Sequence, residues 1–157
     1  LRAVRELSAA AGGVGMVGGQ VVDVEATGKG TDLTLLADIH ARKTGALLSA
    51  AVCTGAVLGG ADEDALGRLG RYGQALGLAF QVIDDVLDIT ADLATLGKDP
   101  GSDRAAGKTT YVDHLGVEGA RAHAAQVMAD GIAALDPFGA AAEPLRALAH
   151  YTVERDR

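Results

Sequence analysis

Leu66, Leu69, Leu76, Phe80, Ile83 and Leu87 follow one another at three, four or seven positions, the spacing that aligns one face of an α-helix. A run of that length, free of proline and opened by Asp62 as a cap, predicts one helix over about 63–90. No stretch of alternating β-branched residues competes with it in the 157 residues, so the fold class is all-α. Helix is expected from Arg2 to Ala26 with an interruption at Gly12-Gly13, and from His40 to Leu58, closed by Gly59-Gly60. Shorter helices are expected over 109–115 and 117–135, and a last one from Pro144 to about Glu154. Thr27 to Gly30 reads as a loop before a cap at Thr31 or Asp32, and 91–106 as a charged loop around Pro100.

Composition removes whole classes of function. With 14 Lys+Arg against 21 Asp+Glu the net charge is -7, and no cluster of cations answers a nucleic-acid backbone. The most apolar stretch, Ala46 to Leu58, is shorter than the about 20 residues a bilayer span needs. The single cysteine, Cys53, cannot close an internal disulfide and reads as a buried small residue in a reducing compartment. A cytoplasmic setting without a membrane span is the expectation. The chain opens at Leu1, inside an expected helix, and so suggests sequence upstream of it.

Four segments carry chemistry. Within Phe80-Gln81-Val82-Ile83-Asp84-Asp85-Val86-Leu87-Asp88, the residues Gln81, Asp84, Asp85 and Asp88 fall in one helical arc of about 100°. That arc adjoins the apolar stripe, and it continues backwards through Gly70, Gly73 and Gly77, which serve either close helix packing or a strip left clear for a ligand. Carboxylates crowded beside a core face repel one another unless a hard divalent cation such as Mg2+ joins them. Lys43, at the polar edge of an apolar helix, calls for an anion. The loop from Gly97 to Thr109 holds two Gly-Lys pairs, Gly97-Lys98 and Gly107-Lys108, suited to close approach and phosphate contact. It is not a P-loop, because its glycine spacing is one residue too long and no strand precedes it. Gln20 and Asp23 lie three apart after Gly15, Gly18 and Gly19 on one helix.

Taken in order, Gly-Met-x-Gly-Gly-Gln-x-x-Asp, Lys43-Thr44, Phe-Gln-x-x-Asp-Asp-x-x-Asp, Gly-Lys-x-x-Gly-x-Asp and Gly-Lys-Thr-Thr resemble the trans-isoprenyl diphosphate synthases, the farnesyl and geranylgeranyl diphosphate synthases among them. The resemblance runs from about Gly15 to the C-terminus. It implies an antiparallel helical bundle of the isoprenoid synthase type, with residues 1–157 as the C-terminal part of a single polyprenyl synthetase domain whose N-terminal helices are missing. It implies prenyl transfer from an allylic diphosphate to isopentenyl diphosphate, with Mg2+ as cofactor and a homodimer as the assembly.

By the same resemblance Asp84, Asp85, Asp88 and Asp103 belong to the metal side of the site. Lys43, Lys98 and Lys108 hold the diphosphate, while Thr44 and Gln81 line the allylic site and act in catalysis. Phe80, Gln20 and Asp23 are carried over as substrate-side positions. The family binds its metals between two Asp-rich motifs, and only one occurs in this sequence. The residues that hold isopentenyl diphosphate in the family have no match here either. The expectation is therefore half a site, inactive alone, with a non-catalytic partner subunit or diphosphate-binding module of the same fold as the alternative. A class I terpene cyclase shares the Asp-rich chemistry, but Lys43-Thr44 and the Gly-Lys pairs favour the synthase.

Overall fold

A computed structural model describes residues 1–90 and 105–156. Seven α-helices are found among them: α1 (Arg2–Ala11), α2 (Met16–Ala26), α3 (Leu33–His40), α4 (Ala46–Leu58), α5 (Glu63–Thr90), α6 (Tyr111–Ala133) and α7 (Glu143–Glu154). A π-turn, Ala41–Gly45, joins α3 to α4, and a 3-10 segment, Asp136–Ala142, leads into α7. No strand occurs among the described residues.

Local chemistry sets most of the boundaries. Asp32 accepts from the Leu35 N–H and Asp62 from the Ala65 N–H, each at 2.8 Å, as N-caps do. Thr110 opens α6 through a reciprocal box with Asp113: each backbone N–H is met by the other's side chain. Gly116, at φ 69°, breaks α6 at the predicted junction between 115 and 117, in a backbone region that favours glycine. One expectation was too simple. The second apolar helix starts at Leu33, and its π-turn admits an extra residue without ending the rod.

α5 is the axis of the bundle, touched by α3, the π-turn, α4, α6 and α7. Of the predicted stripe, Leu66, Leu76, Ile83 and Leu87 are buried. So are Tyr72, Ala79, Val82 and Val86, because a helix enclosed by neighbours buries more than one face. Phe80 is half-buried and Leu69 packs at the edge of the core. Cys53 is half-buried on α4, where burial pushes its thiol up.

The N-terminal pair differs. Val4 and Leu7 of α1, and Val17, Val21 and Val24 of α2, are each at least half exposed. Residues Arg2–Ala26 are also long and apolar enough by composition to cross a membrane, but the chain breaks there between Ala11 and Met16 and carries Arg2, Arg5, Glu6, Gln20 and Asp23.

Tyr72, fully buried, donates its hydroxyl to the Leu145 carbonyl at 2.7 Å and so fastens α7 to α5. Burial pushes its phenol up to about 12 from the about 10 of an unfolded chain. Its contribution to stability is whole below pH about 10 and is lost as pH rises from there towards 12, where only the unfolded chain gives up its proton readily. Tyr72→Phe is expected to flatten the alkaline fall of the melting temperature in that window, as followed by circular dichroism.

Candidate active site

The turn that carries Lys43 is fixed from both sides. A Cβ on Gly19 of α2 would lie 2.4 Å from the Lys43 nitrogen, and one on Gly77 of α5 would lie 2.5 Å from the Gly45 Cα. Two glycines therefore let two helices press directly on the π-turn backbone, leaving its residues little room to shift. Of the two readings of Gly73 and Gly77, close helix packing holds and the cleared strip does not. A Cβ on Gly73 would meet the Ser49 Cα at 2.7 Å, so the strip is filled by α4 and the π-turn.

From that turn the Lys43 ammonium reaches Asp23 of α2 at 2.6 Å. Its first anion is thus a carboxylate of the protein, and Asp23 aims the lysine. Across from it α5 presents Gln81, whose amide donates to Asp84 Oδ2 at 3.3 Å. Asp85 accepts from the Tyr111 N–H at 2.8 Å, which spends one oxygen on the start of α6. The Tyr111 phenol is pushed up by burial first and by the Asp85 charge second.

The third side is the segment before α6. Gly28 N–H donates to Gly107 O at 2.9 Å, Thr31 N–H donates to Thr109 Oγ1 at 3.2 Å, and His114 Nε2 lies 2.7 Å from Thr31 O. These bonds tie 107–109 to the α2–α3 loop, and Gly107, at φ 76°, makes the turn. Lys108 is thereby placed at the same opening as Lys43.

Asp23, Lys43, Gln81, Asp84, Asp85 and Lys108 line one polar cavity of about 200 Å3. That is space for a charged headgroup, since about 30 Å3 suffices for each water it would displace. The π-turn separates it from a larger apolar groove of about 760 Å3, which Ala41, Arg42 and Gly45 help to line.

Other expected residues stand elsewhere. Thr44 follows Lys43 in the π-turn, half-buried and outside the cavity lining, and Gln20 is exposed on α2. Asp88 is 2% exposed and does not line the cavity. Phe80 lies beneath the guanidinium of Arg155, 4.2 Å from its ring centre. Lys98 and Asp103 lie outside the described residues. Sequence reasoning missed Arg155, which pairs with Asp84, and His40, which lines the cavity one turn before Lys43. His40 had a signal, its i, i+3 spacing from Lys43; Arg155, 71 positions from Asp84, had none.

The carboxylates of Asp23, Asp84 and Asp85 line the cavity, and oxygen donors of that kind suit a hard ion such as Mg2+. Among the described residues no group of three or more His, Cys, Asp or Glu could cage a metal. The donor set fits an ion that takes one or two carboxylates and draws its other ligands from water and substrate phosphate.

A sequence model of the polyprenyl synthetase family matches residues 2–136. The dimethylallyltranstransferase of Fischerella ambigua is 46% identical over 156 residues, which is 99% of this chain and 45% of that protein. The FPP/GFPP synthase of Zymomonas mobilis superposes with a TM-score of 0.83 at 35% identity, over 96% of this chain and 50% of the other. The geranyltransferase of Helicobacter pylori, crystallised with magnesium and isoprenyl diphosphate, gives 0.77 at 32% identity, over 97% and 48%. The chain spans about half the length of the relatives it matches.

Proposed function

The chain belongs to the polyprenyl synthetase family, and from that premise we propose that its cavity holds the diphosphate of an allylic substrate during head-to-tail prenyl transfer to isopentenyl diphosphate. The observation that carries this reading is the meeting of Lys43, Gln81, Asp84 and Lys108, from three separate segments, around one polar cavity.

In that role Lys43 and Lys108 donate to phosphate oxygens, and Asp23 keeps Lys43 directed when the cavity holds no anion. Magnesium, when bound, supplies further positive charge to the diphosphate and makes it a better leaving group. Asp84 is its first protein ligand in this reading and Asp85 the second; Asp88 and Asp103 are assigned to the same acidic set. Lys98 is a third phosphate contact. The allylic C–O bond then breaks with its electron pair passing to diphosphate. The double bond of isopentenyl diphosphate attacks the allylic cation, forming the new C–C bond. A proton leaves to the released diphosphate, and the prenyl chain is five carbons longer. Gln81 and Thr44 present polar oxygens towards the developing cation, and preorganised dipoles of this kind stabilise it without reorganising.

These residues supply the half of the site built around the allylic diphosphate. The facing Asp-rich half is proposed to come from sequence outside these 157 residues, and a second copy to cover the exposed apolar faces of α1 and α2, giving a homodimer in a cytoplasmic setting. Turnover of dimethylallyl and isopentenyl diphosphates with Mg2+ tests the reading. The protein carrying the upstream region is expected to release diphosphate and a longer prenyl product. The 157-residue chain alone is expected to release neither, and activity from it would overturn the half-site reading.

A further inference from the structure

Arg155 follows the last residue of α7, in an extended conformation, and turns back onto α5. Its Nη2 donates to the Phe80 carbonyl at 3.1 Å and to Asp84 Oδ1. Its guanidinium lies over the Phe80 ring, 4.2 Å from the centre, and the side chain is 12% exposed. Cation–π contact and a charge-assisted bond to carboxylate make a specific seat.

The seat is also incomplete. A guanidinium has five N–H donors, yet among the described residues both bonds come from one nitrogen, and the buried Nε has no hydrogen-bond partner. Asp84, 44% exposed, keeps its other oxygen beside Gln81 and still lines the cavity. Arg155 is therefore held by a few contacts and can be released from the carboxylate without stranding an elaborate network.

Resting on the reading of Asp84 as a cation ligand, we propose that Arg155 is the built-in stand-in for that cation, holding Asp84 neutralised until metal and diphosphate arrive together. A divalent ion on Asp84 places two like-signed charges beside one carboxylate, which the guanidinium opposes. Diphosphate brings the negative charge that compensates both. Arg155 thus keeps the bare site weak for metal and makes cation binding depend on substrate.

The test is free Mn2+ counted by electron paramagnetic resonance, on the protein carrying both halves of the site, with and without inorganic pyrophosphate. Without pyrophosphate, Arg155→Gln is expected to tighten Asp84-dependent Mn2+ binding by about tenfold, the scale on which a neighbouring like charge acts. Arg155→Lys, which keeps the charge, should stay within about threefold of the parent by the same reasoning. With pyrophosphate present the gap between parent and Arg155→Gln should narrow, and in an Asp84→Asn background Arg155→Gln should change nothing. Phe80→Leu, which removes the ring but keeps the bulk, should tighten Mn2+ in the same direction and serves if Arg155→Gln does not fold. Unchanged or weaker Mn2+ binding in Arg155→Gln and Phe80→Leu overturns the proposal and leaves Arg155 as a tether for α7. If the parent shows no Asp84-dependent Mn2+ binding even with pyrophosphate, the diphosphate reading of the cavity falls as well.

Discussion

Asp84→Asn is expected to lower prenyl-transfer kcat by about 10³-fold in the protein carrying both halves of the site, the scale on which loss of one preorganised charge partner of a developing anion acts. The substitution keeps the shape of the side chain and its hydrogen bond from Arg155, so folding should be preserved and the loss should appear in turnover. Asp85→Asn is expected to cost less. One Asp85 oxygen is already committed to the Tyr111 N–H, a bond that the asparagine carbonyl can still accept. Among the described residues Asp84 meets two side chains, Gln81 and Arg155, and carries no such duty to the backbone. Steady-state kinetics on the two variants, with melting curves alongside, check the order. Equal losses would mean that the two carboxylates act as one unit, and no loss at Asp84 would remove it from the chemistry.

Gly77→Ala should destabilise the fold by about 2–3 kcal/mol, the cost of forcing atoms into a packed contact. A new Cβ would lie 2.5 Å from the Gly45 Cα. Backbone stands on both sides of that contact, and no flexible side chain can swing away. For a domain of this size the melting temperature should fall by about 4–10 °C. Gly67→Ala on the same helix is expected to act in the opposite sense, stabilising by about 0.5–1 kcal/mol, because the better helix former meets nothing closer than the flexible end of Arg71. Gly77→Ala should also raise KM for the allylic diphosphate, since relief of the clash moves the π-turn on which Lys43 stands. A stable Gly77→Ala protein with unaltered KM would show that the turn is not clamped as described.

The contrast between those glycines marks the limit of what the sequence discloses. Helix ends were legible because a cap is a local event: Asp32, Asp62 and Gly116 act within three residues of themselves. The stripe on α5 was legible for the same reason, though not that its other faces would also be enclosed. Gly73 and Gly77 were ambiguous, because a missing side chain admits a ligand and a helix equally well. Asp84 and Asp88 share an arc by angle, yet only Asp84 lines the cavity. A helical wheel gives direction and says nothing of what covers each turn. The π-turn has no sequence signature, and the pairings Asp23–Lys43 and Asp84–Arg155 join residues 20 and 71 positions apart that only the tertiary fold brings together. The family resemblance singled out Lys43, Gln81, Asp84 and Lys108, and the structure assembles those four around one cavity.

A crystal grown with Mn2+ and pyrophosphate, examined for anomalous scattering, tests the common cavity most directly. The account predicts manganese in contact with the Asp84 carboxylate, phosphate oxygens within hydrogen-bonding reach of Lys43 and Lys108, and the Arg155 side chain drawn off Asp84. Manganese and phosphate bound away from the Lys43 turn, with Arg155 still seated on Asp84, would contradict it.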